Sequence, residues 1–354
     1  MSAWLERIWY PAAPPGLPAR LALGPLTLAS WVFRAGASLR ATAYRRRLFK
    51  VHRVSGTFVV SIGNLNVGGM GKTPVVIYLA QLCARRGKKV AVVTRGYGRR
   101  ARGEMVLQPG TASSAEAVGD EPLLISQRCP TATVFVGADR VRLVERARDE
   151  AKANIVLVDD GMQHRRLARD LELVVIDEAA GFGNGHQLPR GPLREASSAL
   201  RRADLLWLQR SEVANLPKLP SDIPQVHALH ALASAIAPDR SVHPISAIAA
   251  QKLFVFSGIA RPRGLLENWR RLGLRVQGAR FFADHHSFAP RELARLEAEA
   301  RAAGASILAT TEKDQVRLPQ GFPAWALRLE VEVIQGMSPL LQALGFSTDG
   351  NRQG

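Results

Sequence analysis

Six consecutive residues, Gly68-Gly69-Met70-Gly71-Lys72-Thr73, carry the clearest chemistry in this chain. Glycines let a backbone turn so that successive N–H groups point at phosphate oxygens. A lysine can then reach the β and γ phosphates, and a threonine hydroxyl can ligate Mg²⁺. The stretch continues Gly63-Asn64-Leu65-Asn66-Val67, which follows a short apolar run, and it opens into a helix-like sequence at Pro74. Strand, glycine-rich loop and helix in that order are the context of a phosphate-binding loop, because the helix N-terminus adds its partial positive charge. The general pattern has Gly where Asn66 stands, but Asn tolerates left-handed backbone angles better than most residues, so the turn remains open to it. Asn66, Val67, Gly68, Gly69, Met70, Gly71, Lys72 and Thr73 are thus the candidate binding loop for a nucleoside triphosphate. A second feature is Asn154-Ile155-Val156-Leu157-Val158-Asp159-Asp160, an apolar run ending in two acids. Alone it can be a turn signal. Beside a phosphate loop it can supply the carboxylate that holds a magnesium shell.

These groups need a scaffold. β-Branched runs at 57–62, 89–94, 154–158 and 171–176, with a further run at 204–209, alternate with helix-length segments. The clearest helix spans 74–86, with proline in its first turn and Gly87 as its stop. The alternation predicts an α/β fold of the P-loop NTPase type, with a mainly parallel sheet covered on both faces. Residues 211–245 are rich in Pro, Ser and His without a sustained period and read as an irregular connection. Beyond them, a strand at 252–256, a helix at 290–303 ended by Gly304 and a strand at 306–310 predict a second, smaller α/β domain. The expected organisation is an N-terminal segment over 1–50, a P-loop domain over 51–215, a connection over 216–245 and a C-terminal domain over 246–347. A frayed tail follows Thr348.

Among 354 residues, 48 Lys plus Arg stand against 30 Asp plus Glu, a formal charge of +18. The excess favours an acidic partner (nucleic acid, an anionic membrane surface or a phosphorylated substrate), unless it reflects only Arg-rich solvated faces. No aromatic-basic interleaving suggests a stacking platform, so nucleic acid is not an expected partner. The only cysteines, Cys83 and Cys129, show no zinc or disulfide spacing, which fits a reducing cytoplasm. The N-terminal segment lacks the pattern of a secretory signal. Its apolar run at 21–33 is short of the roughly 20 residues that span a bilayer. Arg40, Arg45, Arg46, Arg47 and Lys50 follow it. This suits either a helix lying in the interface of an anionic leaflet or a first helix packed on the core.

Eight stretches taken together resemble the tetraacyldisaccharide 4'-kinase family. They are Gly63-Asn64 through Lys72-Thr73-Pro74, Thr94-Arg95-Gly96-Tyr97-Gly98-Arg99, Gly119-Asp120-Glu121-Pro122 and Asp159-Asp160-Gly161-Met162-Gln163-His164. Further along come Gly183-Asn184-Gly185, Leu188-Pro189-Arg190-Gly191-Pro192-Leu193-Arg194-Glu195, Asp284-His285-His286-Ser287-Phe288 and Thr311-Glu312-Lys313-Asp314. The resemblance covers nearly the whole chain. It implies an enzyme that uses ATP and Mg²⁺ to phosphorylate the 4'-hydroxyl of an acylated disaccharide 1-phosphate, forming lipid IVA in lipid A biosynthesis. It implies peripheral attachment to the cytoplasmic face of the inner membrane through a membrane-associating N-terminal helix. By the same resemblance Lys72 neutralises the phosphates, and Thr73 with Asp159, Asp160 and Glu195 surrounds Mg²⁺. Asp120 corresponds to the base at the 4'-hydroxyl, and His285 to its supporting partner from the second domain. Because their motifs lie on opposite sides of the connection, closure of the second domain is expected to bring His285 toward Asp120. Asp120 could instead cap the helix near Glu121, and Asp284 with His285 could be a surface pair. No catalytic role is expected of His164 or His186. The rival reading is a P-loop ATPase acting in protein partitioning or maturation.

Overall fold

The computed structural model describes residues 3–11, 16–111, 113–211, 216, 218–259 and 262–347. Residues 212–215 and 217 of the expected connection, and the tail after Thr348, lie outside these. The chain forms two compact units, both discontinuous in sequence. The first takes Met1–Arg95, Thr131–Leu229 and Val331–Gly354, and the second takes Gly96–Pro130 and His230–Glu330. Four consecutive blocks were expected. The difference arises because the segment after the second strand, including Asp120, leaves the first unit and returns to it.

In the first unit the strands are β1 (Phe58–Gly63), β2 (Val90–Thr94), β3 (Thr133–Val136), β4 (Ile155–Asp159), β5 (Leu171–Asp177), β6 (Leu205–Gln209) and the start of β7 (Gln225–Ile236). They lie in the order β7-β6-β5-β1-β4-β2-β3, with parallel pairing throughout. All five residues of β2, β4 and β6 are buried. That is why these strands read as unbroken apolar runs, as expected of a sheet covered on both faces. The helix Lys72–Arg85 turns Val75, Val76, Leu79, Ala80 and Cys83 inward and ends where Gly87, at φ 76°, bonds back to Ala84.

An N-terminal helix, Gly24–Arg45, docks on this unit along one side. Ser30 Oγ donates to the Gln187 carbonyl (2.7 Å) and accepts from the Arg190 amide (3.1 Å), while the Arg190 guanidinium donates to Thr27 Oγ1. Trp9 Nε1 bonds the Pro189 carbonyl at 3.0 Å. Leu28, Trp31, Val32 and Leu39, spaced for one face, stay 62%, 63%, 68% and 72% exposed. Among the described residues no helix is long and apolar enough to cross a membrane.

The second unit holds β8 (Lys252–Ser257), β9 (Arg275–Phe281), β10 (Ile307–Thr311) and most of β11 (Ala324–Gln335), in the parallel order β9-β8-β10-β11. The helix Pro290–Ala302 packs Leu293, Leu296 and Ala300 against Phe254, Phe256 and Phe288. From the segment Gly96–Pro130 comes the helix Asp120–Arg128. Its buried last residue is fixed by charge: Arg128 donates to Glu312 and Glu330 at 2.7 Å each, and Arg328 donates to Glu312 at 2.9 Å.

Residues 225–236, expected in an irregular connection, form β7. Val226 and Ala228 are buried, but interleaved His227, His230 and Ser234 hide the alternation. At the end of β1, a Cβ added to Gly63 would stand 2.3 Å from Met162 Cβ and 2.9 Å from the Met162 amide nitrogen. Gly63→Ala must therefore push apart β1 and the turn after β4. The expected cost is roughly 1–3 kcal/mol, as for overpacking elsewhere, read as a lower urea midpoint with an unchanged m-value.

Candidate active site

The phosphate loop leaves β1 and is pinned by residues 187–194. The Val67 amide bonds the Pro192 carbonyl (2.8 Å), and the Arg194 amide bonds the Leu65 carbonyl (2.7 Å). Gly68 (φ 103°) and Gly71 (φ 71°) take the left-handed angles that need glycine, and Gly71 caps the helix Lys72–Arg85. Asn66 does not use the left-handed tolerance expected of it. Instead its buried side-chain amide donates to the Gly181 carbonyl at 3.0 Å.

Parallel pairing sets Ile62 of β1 beside Asp159 of β4, so the acid stands on the strand next to the loop's own. Asp159 Oδ2 accepts from Thr94 Oγ1 at 3.0 Å. Asp160, at φ 54°, meets Lys72: Nζ lies 3.3 Å from its Oδ1 and 3.0 Å from Asn64 Oδ1. Arg194 forks onto both Asp160 oxygens at 2.8 Å each and also donates to Asn64 Oδ1. Burial pushes the Asp160 pKa up, but Lys72 and Arg194 outweigh it and hold the carboxyl well below the usual carboxylate range.

One hydroxyl and two carboxylates (Thr73, Asp159 and Asp160) are hard oxygen donors. They suit Mg²⁺, which keeps several waters and needs few protein ligands. Among the described residues no group of three or more His, Cys, Asp or Glu is placed to hold a metal. The expected fourth member, Glu195, is turned elsewhere: its carboxylate accepts from Arg165 and, at 2.7 and 3.1 Å, from Arg202. An acid between two guanidiniums has its lone pairs taken, which spacing in sequence does not reveal.

The second unit carries a separate constellation. Asp120 opens its helix after Gly119 (φ 95°), where a Cβ would come within 2.9 Å of the Tyr97 carbonyl. The cap position of this helix is Gly119, and the hydrogen bond of the Asp120 side chain goes to His285. Its Oδ2 lies 2.9 Å from His285 Nδ1 and 3.4 Å from Arg317 Nε. On the other side of the imidazole, Lys313 Nζ stands 3.5 Å from Nε2 and 3.4 Å from Glu121 Oε1. An ammonium facing Nε2 favours the tautomer in which Nδ1–H donates to Asp120. Burial raises the Asp120 pKa, but the His285 hydrogen bond, Arg317 and Lys313 together bring it below the ordinary value. The carboxylate is therefore ionised at neutral pH. Asp120 and His285 were expected in different domains, joined by closure. Both belong to one unit and already sit at hydrogen-bond distance.

His164, Cys83 and Cys129 are shifted away from any reactive range. Burial lowers His164 to about 4 and raises Cys83 and Cys129 to about 12. Asn64, Arg194, Lys313 and Arg317 escaped assignment from sequence. For Asn64, Arg194 and Lys313 the signal was membership of the motifs, while Arg317 lies just beyond one.

A glycine loop between a buried strand and a helix, with an acid on the adjacent parallel strand, defines a P-loop nucleotide-dependent enzyme. The model of one family, "Tetraacyldisaccharide-1-P 4'-kinase", matches residues 22–344. The chain belongs to that family. It is 41% identical over 363 residues to a tetraacyldisaccharide 4'-kinase of Anaeromyxobacter dehalogenans (strain 2CP-C), covering 96% of this chain and 94% of that one. It is 39% identical to a kinase of the same name from Geobacter sulfurreducens, covering 93% and 94%. Among solved structures, "apo" form LpxK from Aquifex aeolicus in complex with ATP superimposes with a TM-score of 0.78 at 28% identity, covering 92% of this chain and 98% of that one. Family membership decides against the ATPase rival, and the family's substrate is a lipid.

The Lys72–Asp160–Arg194 cluster makes a stability prediction. Because the folded pKa of Asp160 is depressed, its contribution is present above the unfolded value of about 3.9 and is lost as pH falls through the folded value. Asp160→Asn should lower the urea midpoint at pH 7, and the gap from the parent should shrink steadily below about pH 4.

Proposed function

We propose that this chain transfers the γ-phosphoryl group of ATP to the 4'-hydroxyl of a tetraacylated glucosamine disaccharide 1-phosphate. The observation that carries the acceptor half is the 2.9 Å contact of Asp120 with His285. In the first unit, Gly68 to Thr73 offer backbone N–H groups and Lys72 a charge to the triphosphate. When nucleotide arrives, Lys72 exchanges Asp160 and Asn64 for phosphate oxygens, and Arg194 remains to hold Asp160 in place. Thr73 and Asp159 are the ligands best placed for Mg²⁺, with Asp160 next to them; the ion would neutralise charge on the phosphates.

In the second unit, Asp120 is the proton acceptor at the sugar hydroxyl. A carboxylate is a weak base, so the imidazole matters. Donation from His285 Nδ1–H to Oδ2 fixes the carboxylate's orientation, and the proton that leaves the alcohol passes to the other Asp120 oxygen. Phosphoryl transfer to an alcohol asks little covalent chemistry of a protein, and these groups supply positioning and charge.

The lipid acceptor calls for a surface. The exposed apolar face of helix Gly24–Arg45, followed by Arg45, Arg46, Arg47 and Lys50, supports peripheral binding to an anionic leaflet on the cytoplasmic side of the inner membrane. Ser30 and Arg190 tie that helix to the same loop that pins Leu65 and Val67, so the anchor and the nucleotide loop share a support.

Two measurements test these assignments. With labelled ATP, Mg²⁺ and the acylated disaccharide in detergent, Lys72→Ala and Asp120→Asn should each lower kcat by a factor of about 100 or more. Near-normal lipid labelling by folded Lys72→Ala would remove the loop from the mechanism. In flotation with vesicles containing anionic lipid, Trp31→Ser with Leu39→Ser should release most of the protein to the soluble fraction, and retention equal to the parent's would contradict the interfacial role.

A further inference from the structure

The Thr311-Glu312-Lys313-Asp314 motif and its neighbour Arg317 stand beside Asp120 and His285. Asp314 is fully buried. It accepts from Ser257 Oγ (2.7 Å), the Gly258 amide (2.9 Å), Thr311 Oγ1 (2.6 Å) and the Arg317 guanidinium. Four donors around one carboxylate make it a fixed post. Arg317, only 5% exposed at its side chain, is held on that post.

From there Arg317 reaches two carbonyls, with Nη1 on His286 (3.0 Å) and Nη2 on Gly258 (3.1 Å). The Gly258 carbonyl also receives the His285 amide, at 3.1 Å. Arg317 therefore holds the turn that presents His285 directly at the His286 carbonyl and indirectly through the Gly258 carbonyl, which the His285 amide shares; His285 sits there at φ 60°, a backbone angle uncommon for a residue other than glycine. A Cβ on Gly258 would come within 3.0 Å of the Ala283 carbonyl and 3.2 Å of His286 Cβ, so the turn lies tight on the strand end. The remaining nitrogen, Nε, is buried without a hydrogen bond and faces Asp120 Oδ2 at 3.4 Å. The fork thus bonds the backbone, and only the charge is directed at the carboxylate.

We infer that Arg317 is a positioning residue of the proton-accepting pair: it sets the His285 turn through two carbonyls and holds Asp120 ionised while leaving its oxygens for His285 and the alcohol. This rests on the proposed roles of Asp120 and His285. The other charges facing the pair are Lys313, beside His285 Nε2, Asp284, 3.9 Å from Nε2, and Glu121 on the helix of Asp120. The buried charge of Glu312 is taken by Arg128 and Arg328. Removing Arg317 takes one cation from Asp120 and leaves Lys313 with two acids beside it, so the pair should hold its proton to higher pH.

The test is the pH profile of kcat and kcat/KM for lipid phosphorylation in Arg317→Met and Arg317→Lys, each first checked for folding by its thermal transition. In Arg317→Met the acid limb should move up by about one pH unit, a tenfold loss below it, with KM for ATP unchanged. In Arg317→Lys the charge stays and the fork is lost, so the limb should stay while kcat falls at least fivefold across the whole range. An unmoved limb in a folded Met variant overturns the electrostatic role, and parental kcat in the Lys variant overturns the bracing role. If the Met variant does not fold, the Lys variant decides alone: the same fall confined to KM would mean a merely structural arginine. Should Asp120→Asn keep its activity in the same assay, the proposed roles themselves fail, a result distinct from either outcome at Arg317.

Discussion

The parallel pairing of β1 with β4 is the constraint on which the nucleotide site depends. It aligns two buried strands so that both end at one edge of the sheet, with Ile62 beside Asp159. The loop that follows β1 and the acids that close β4 are then neighbours without further arrangement. Lys72, which opens the helix after the loop, and Asp160, which directly follows β4, meet there at 3.3 Å. Apolar burial drives this pairing, since β1 and β4 bury nearly every residue, and the charged cluster rides on it. Ion pairing alone would not organise it, because exposed pairs contribute little and buried ones must offset desolvation. What Arg194 and Asn64 add is a defined resting place for the lysine.

The second unit solves a different problem, holding an ionised carboxylate in a largely buried place beside an imidazole. Here the scaffold is polar. Arg128 ties the last turn of the Asp120 helix to Glu312 and Glu330, and Asp314 ties the next turn of chain to the end of β8. Such networks rigidify when every member has a partner. The arrangement gives Asp120 a low pKa and His285 a fixed orientation from the same few residues.

Much of this was legible in the residues. The phosphate loop, its flanking strand and helix, and the acids closing β4 follow from local patterns of glycine, apolar runs and charge. The resemblance implied Asp120 and His285 as partners in different domains, whereas the structure sets them 2.9 Å apart in one unit, because a chain that leaves one unit and rejoins it shows no boundary signal of its own. β7 was hidden by histidines and serines placed at half-buried positions. β11 was legible in the alternation Leu329-Glu330-Val331-Glu332-Val333 and was missed. The roles of Glu195 and Arg317 could not be read, since an acid or arginine in sequence looks the same whether it faces solvent, metal or another buried charge. Asn66 was read for its backbone when the fold uses its side chain.

This family member phosphorylates a lipid-borne sugar hydroxyl with ATP. The most direct measurement is ³¹P NMR and mass analysis of the lipid recovered after incubation with ATP, Mg²⁺ and tetraacyldisaccharide 1-phosphate in detergent. The expected product is a lipid heavier by one phosphate, esterified at the 4' position and formed in proportion to the ADP released. ADP release that leaves the lipid unchanged, or phosphate at another position, would contradict it.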